Sequence, residues 1–448
     1  MMPRSSFFSV AVVSALVATS AFTAHAQDAY ELTLPAALVM ARTRAAEMRA
    51  ARARHETASA EADAALAGYL PSLSGQAGAG QTWSRTEGKT LDESGNTVDY
   101  VDNGTRRQLD ASASLRWTAF DFWQTPSRVG AARADARAAF QRVRATANDT
   151  TRAVASAYFT VVFDQLLDEN AKLTTQIRER HAAITHGLVA SGIRPTVEEA
   201  RARVELDLAR LESITTERQM AQDKVKLATI LLLPPTTPIK VVRPAVLPKA
   251  TEEPKLAANE AAERRPEVRA AYESVEARER ALTAAKVERL PTIGASLDAT
   301  HRSTLADRED PRYPKENALA AMLTVSVPVF DWRVWGQVPV ASGNLAAAEA
   351  ERAGTVARVR GEAAEAAYGL QSARLALEQS RSTRDLAGAT LAVMEARYQA
   401  GLVTTTDLFD AAARDADARR GLIRAELGVA QAVIQELAAT GRITELER

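Results

Sequence analysis

Leu109-Asp110-Ala111-Ser112-Ala113-Ser114-Leu115-Arg116-Trp117 alternates apolar and polar residues without a fault. A period of two places one set of side chains on each face of an extended strand. The pattern stops soon after, and from Pro126 to Gly192 the chain is a nearly uninterrupted run rich in Ala, Arg, Glu and Gln. Such a composition favours helix, and at 1.5 Å per residue the run reaches about 100 Å. Ordinary globular helices average only about 11 to 12 residues, so the length points to a coiled coil or a helical tube. A half-buried strand feeding an oversized helix is the feature from which the rest follows.

The pattern occurs twice. Leu70-Pro71 returns as Leu290-Pro291, Phe120-Asp121 as Phe330-Asp331, and Gly192 as Gly401. Glu47, Arg49, Ala50 and Ala51 match Glu267, Arg269, Ala270 and Ala271 at the same offset of 220 as the Leu-Pro pair. The order and spacing indicate a duplicated unit, read as helix, strand, loop, strand, long helix, turn, long helix. The helix before the first strand is expected over 34–68. Half-buried strands are expected around Leu73–Ala79, Leu109–Trp117, Ile293–Ala299 and Ala321–Val329. Polar connections at Gly80–Gln108 and His301–Asn317 read as exposed hairpin loops. The second long helix is expected from Val340 to Gly401, and return helices over 196–232 and 404–440. On the first of these, Val204, Leu208 and Leu211 form a stripe that reads as a core face. The organisation expected is a signal peptide over 1–26, a first repeat over 27–233, a Pro-rich linker over 234–254, a second repeat over 255–441 and a tail over 442–448.

Composition narrows the function. The 448 residues carry 56 Lys+Arg against 56 Asp+Glu, so no basic field argues for nucleic acid. With no cysteine there is no disulfide, thiolate metal site, cysteine nucleophile or cysteine-linked lipid. Five histidines form no usual ligand pattern, and no metal or other cofactor is expected. His181 and His186 do not share a helical face and read as solvated surface residues. Residues 1–26 carry Arg4, an apolar stretch from Phe7 to Phe22 and an Ala24-His25-Ala26 cleavage pattern, the marks of an export signal. No later segment offers about 18 consecutive apolar residues. An exported chain with amphipathic strands fits an outer-membrane barrel, but four strands cannot close around a pore and an open edge is not viable in lipid. The chain therefore supplies a quarter or a third of a shared barrel; three copies give 12 strands. Trp117, Trp123, Trp332 and Trp335 recur at strand ends and suit an interface girdle.

These features resemble the TolC family of outer-membrane efflux channels. The likeness covers nearly all of the chain beyond the export signal. It rests on the duplication, the Leu-Pro elements, Val329-Phe330-Asp331, and Tyr398-Gln399-Ala400-Gly401-Leu402-Val403 followed by Thr406-Asp407-Leu408-Phe409-Asp410-Ala411. The resemblance implies a mainly helical homotrimer with duplicated helical hairpins. Its shared 12-stranded barrel would sit in the outer membrane, and its α-barrel tunnel would extend into the periplasm. It implies a mixed equatorial belt, and tips at Gly192, Ile193, Gly401 and Leu402 docking on a periplasmic membrane-fusion adaptor. That adaptor would couple the duct to an inner-membrane pump for efflux or type I secretion, leaving the channel without catalytic chemistry. It further implies a periplasmic gate, with Asp407 and Asp410 as a carboxylate ring and Glu198 meeting Tyr398 as a lock. The arginine that the resemblance implies for a second lock is Val403 here, so that lock is either absent or moved, with Arg194, two after the first Gly, as the candidate substitute. Asp407 and Asp410 also suit a plain helix N-terminus capped within Thr404–Thr406. Two other classes compete. A periplasmic coiled-coil adaptor or scaffold would bring a single hairpin and no duplicated strands. An exported hydrolase would need a nucleophile, base and orienting group that converge.

Overall fold

The computed structural model describes residues 30–91, 93, 95–244, 247–304 and 316–447. The expected signal peptide lies outside them. In chain order the elements are β1 (Tyr30–Leu32), α1 (Leu34–Arg44), α2 (Ala46–Ala65), β2 (Ser72–Leu91), β3 (Thr97–Phe120), α3 (Gln124–Ala190), α4 (Thr196–Ile230), β4 (Ile239–Val241), α5 (Pro254–Arg264), α6 (Pro266–Val287), β5 (Thr292–Thr304), β6 (Glu316–Ser326), α7 (Trp332–Gln399) and α8 (Thr405–Ala439). Helix pair, strand pair and long hairpin thus occur twice in the same order. The helix expected over 34–68 is two helices broken at Ala45, which is extended at φ −52° and ψ 133°. The equivalent break in the second half falls at Arg265, before Pro266.

The repeated Phe-Asp pairs have a local purpose. Asp331 caps α7 by accepting the Arg333 amide at 2.9 Å, and Asp121 accepts the Thr125 amide at 2.6 Å in the first turn of α3. Both satisfy donors that a helix start leaves without intrahelical partners. The α7 helix therefore begins at Trp332 and not at Val340; Pro339 is accommodated inside it.

The four long strands form one antiparallel sheet in the order β2-β3-β5-β6. Cross-strand pairs such as Leu73–Leu115, Leu115–Leu297 and Leu297–Ala321 share a face, because directly opposed residues point the same way. That face carries Leu73, Leu109, Leu115, Trp117, Ile293, Leu297, Leu319, Leu323 and Val325. The other carries Asp110, Ser112, Ser114, Arg116, Ser296, Asp298, Thr300 and Thr324. From Leu109 to Trp117 the apolar face spans about 27 Å along the strand, a fair match to the ~25 Å apolar band of a tilted membrane strand. Two expectations are corrected here. Gly80–Gln108 is not a loop, because β2 and β3 continue beyond the Gln108–Thr304 pair as a two-stranded ribbon to Leu91–Thr97. Cross-strand hydrogen bonds satisfy the backbone there whatever the side-chain pattern. β6 ends at Ser326 and not at Val329, since Pro328 has no amide to give.

Below the sheet α3 and α7 run the full length. In the upper half they alternate with α2 and α6, giving the packing order α2-α3-α6-α7; in the lower half the order is α4-α3-α8-α7. Between the halves lies the largest apolar core. It joins Leu32, Leu38, Tyr158, Leu227, Leu231, Ile434, Leu437 and Ile443 around the parallel β1–β4 pair. The Tyr158 hydroxyl reaches the Leu32 carbonyl at 2.8 Å and accepts the Val242 amide at 3.1 Å. The N-terminal segment, the inter-repeat linker and the C-terminal turn are thereby tied to α3 at one level. Among the described residues no helix is long and apolar enough to cross a membrane.

Candidate functional site: the helical tips

Both long hairpins reverse through the same local chemistry. Gly192 and Gly401 have φ of 74° and 72°, a region glycine enters without a Cβ penalty. Gly192 donates to the Val189 carbonyl and Ile193 to Leu188, both at 2.9 Å. Gly401 donates to Tyr398 at 3.0 Å and Leu402 to Arg397 at 2.9 Å. These paired bonds are Schellman caps, which satisfy the last helical carbonyls and expose the next side chain. Ile193 is 67% and Leu402 75% exposed.

The gate residues named from sequence meet between the tips. Tyr398 is 4% exposed, in an apolar cluster with Ala202, Leu391, Leu408 and Phe409. Its hydroxyl lies 3.3 Å from Thr405 Oγ1 and 3.4 Å from Thr185 Oγ1. Thr405 donates to Glu198 Oε2. Glu198 and Tyr398 are therefore linked through Thr405 and do not touch directly. Arg194 closes the arrangement. Its guanidinium donates to the Val403 carbonyl at 3.1 Å, lies 3.6 Å from Glu198 Oε1 and sits 5.4 Å from the centre of the Tyr398 ring. Arg194 of the first tip thus reaches the main chain of Val403 at the second.

Asp407 forms a reciprocal capping box. The Asp407 amide donates to Thr404 Oγ1 at 3.2 Å, and the Thr404 amide donates to Asp407 Oδ2 at 3.0 Å. The Thr404 hydroxyl and amide bonds hold the Asp407 carboxyl below its ordinary value. Asp410, one turn on, is exposed. The two acids line one cleft of about 260 Å³ with Thr390, Met394 and Arg414.

The His181 reading is corrected. This residue is 7% exposed, with Nε2 3.3 Å from Glu395 Oε1 across the two hairpins and its ring stacked 6.4 Å from Phe409. His186 is exposed and lies 3.0 Å from Glu199. Thr185 and Arg178, also buried near the tip, and the bridging contacts of Thr405 escaped the sequence reading. Their hydroxyl and guanidinium groups gave no motif, and only the i+7 step from Tyr398 to Thr405 across the turn marks the contact. The Val204-Leu208-Leu211 stripe is corrected too: all three side chains are exposed, on the outer helix α4.

The site is thus a sheet with one apolar and one polar face above long helical hairpins whose tips are capped and interlocked. The chain belongs to the outer membrane efflux protein family, whose model matches residues 37–231 and 257–442. Members of this family are transport ducts without catalytic chemistry. Protein CyaE of Bordetella pertussis is 25% identical over 303 residues, 67% of this chain and 61% of that protein. The chain thus spans less than two thirds of this relative. Outer membrane efflux protein BepC of Brucella suis is 26% identical over 442 residues, 97% of this chain and 90% of that protein. The fold matches the outer membrane protein VceC of Vibrio cholerae with a TM-score of 0.76, at 19% identity, covering 91% of this chain and 96% of that one.

Proposed function

We propose that three copies close into one barrel and one tunnel, forming the passive exit duct of a tripartite efflux or type I secretion assembly. The observation that carries this is the pair of unfilled edges. Among the described residues β2 and β6 end the sheet, and in lipid the outward main-chain groups of an edge strand need partners. Pairing β6 of one copy with β2 of the next completes a barrel, and three times four strands gives an even number in the known range. The helical edges agree. Val204, Leu208 and Leu211 are exposed on α4, and Leu375, Leu386 and Val393 on α7. Counted from Gly192 and Gly401, Leu208 and Leu386 stand at nearly the same height. The α4 stripe of one copy thus meets α7 of the next. The aromatic residues Trp117, Trp123, Trp332 and Trp335 lie exposed near the periplasmic ends of the strands, where a membrane girdle belongs.

In this duct the tips at Gly192, Ile193, Gly401 and Leu402 offer a small apolar contact to a periplasmic membrane-fusion adaptor, which connects to an inner-membrane pump. Arg194, Glu198, Thr405 and Tyr398 hold the two hairpins of each copy together and keep the tip shut. Asp407 and Asp410 from three copies form a ring of carboxylates that favours cations. The duplicated sheet argues against the coiled-coil scaffold reading. The chain has no native cysteine, so Leu208→Cys with Leu386→Cys tests the edge pairing directly. Oxidation of outer membranes is expected to give a ladder ending at three chains. Single-chain bands alone would refute the arrangement.

A further inference from the structure

His181 is the one buried histidine near the tip, and its surroundings fit a neutral ring. Glu395 of α7 faces Nε2, while Nδ1 is shielded from solvent and has no hydrogen-bond partner. In the neutral tautomer Nε2–H donates to Glu395, and Nδ1 needs only to remain an unused acceptor. The protonated ring would carry a second N–H with nowhere to donate, a costly arrangement in a buried seam. It would also add a cation beside Arg178, which is itself buried and whose guanidinium sits 5.5 Å from the same Phe409 ring. The other charged or titratable groups facing the seam are Arg180 of α3, Tyr398 of α7 and Glu205 of α4, which lies 3.5 Å from the Arg178 guanidinium and offsets part of its charge; α8 contributes Leu408 and Phe409, which carry no charge. Glu395 opposes the cost, but its side chain is 42% exposed and its charge is screened accordingly.

We infer that His181 is a proton-operated wedge between the two hairpins, neutral and packed while the tip is shut and protonated when acid opens it. This rests on the gate reading above. Burial lowers the His181 pKa, Glu395 opposes the shift, and Arg178 and Arg180 add to it. A group whose pKa is lowered in the packed state favours that state above its solvated value and disfavours it below. Closure therefore holds at neutral pH and weakens as pH falls through about 6.5, the value of a solvated imidazole.

The test is single-channel recording of the full reconstituted protein at about pH 7.5 and about pH 5.5, a window in which solvated imidazole changes charge. The wild-type open fraction is expected to rise several-fold in acid. His181→Gln, which keeps a donor for Glu395 and cannot be protonated, is expected to abolish the rise. Glu395→Gln removes the compensating charge, lowers the packed-state pKa further, and is expected to enlarge the acid rise while leaving its onset near the solvated value. Titration of the tip carboxylates is common to wild type and His181→Gln, so the difference between them reports the imidazole. A flat wild-type profile, or an unchanged rise in His181→Gln, overturns the wedge. Thr405→Val at neutral pH reports on the gate alone. If it opens the channel while the acid response is flat, the gate stands and the wedge falls; if it has no effect, the gate reading falls with it.

Discussion

Thr405 is the most informative position in the proposed gate. It is 1% exposed, it donates to Glu198 on the opposite hairpin, and its oxygen is within reach of the Tyr398 hydroxyl. Thr405→Val keeps shape and branching and removes only the hydroxyl. A hydrogen bond to a charged group contributes about 1.5–3 kcal/mol. Where that bond exists only in the shut tip, its loss moves the closed-to-open ratio by about 10- to 150-fold per protomer. Glu198 keeps Arg194, so the substitution leaves no uncompensated charge. The assay is single-channel conductance of trimers in planar bilayers at neutral pH. Thr405→Val is expected to raise the open fraction, and Thr405→Ser to restore the wild-type level. Glu198→Gln added to Thr405→Val is expected to contribute less than it does alone, because the two act through one bond. Wild-type conductance in Thr405→Val trimers, or full additivity with Glu198→Gln, would refute the linkage.

Other expectations concern the tip, the acids and the equatorial core. Asp407→Ala with Asp410→Ala is expected to relieve block by divalent cations in the same bilayers. Since hydrogen bonds lower the Asp407 pKa, its carboxylate stays ionised to below the usual value and its cap is lost only as pH falls through the lower folded value. Unchanged block would count against the ring. Replacing Ile193 or Leu402 by Asp, or Gly401 by Val, is expected to abolish efflux in cells while leaving trimers intact on native gels; normal drug resistance would refute docking there. Glu436 is fully buried, and burial pushes its carboxyl up to about 7. A carboxyl raised in the folded state costs stability as pH climbs from about 4 towards 7, and the penalty is complete above that. Glu436→Gln is therefore expected to raise the melting temperature at alkaline pH and to change it little near pH 4. Equal shifts at both pH values would contradict this origin.

Much of the architecture was legible because long elements repeat their period many times. Alternation at Leu109–Trp117 marked both the strand and its apolar face, whereas the Phe-Asp pairs read only as repeat landmarks and the start of α7 was placed at Val340 instead of Trp332. Local breaks were harder to read. Nothing in Arg44-Ala45-Ala46 signals an extended residue, yet its counterpart in the second half stands before Pro266, so aligning the halves would have placed the break. The ribbon beyond Gln108 was read as a loop because exposed hairpin strands need no apolar face. On α3 the buried side changes along its length, facing α2 and α6 above and α4 and α8 below, so no single stripe announced His181 or Arg178 as buried. The exposed stripe on α4 was read as core because one chain's sequence does not distinguish packing within a protomer from packing between protomers. The tip glycines were legible from punctuation alone, whereas the Thr405 bridge depends on two hairpins meeting and has no local signature.

The claim on which barrel, tunnel and gate all depend is that one chain supplies a third of the conduit. The direct measurement is the detergent-corrected mass, by light scattering, of protein extracted from purified outer membranes. A mass of three chains is the predicted result. A single chain in detergent, or a soluble monomer recovered from the periplasm, would contradict the shared barrel and with it the tunnel and the ring of carboxylates.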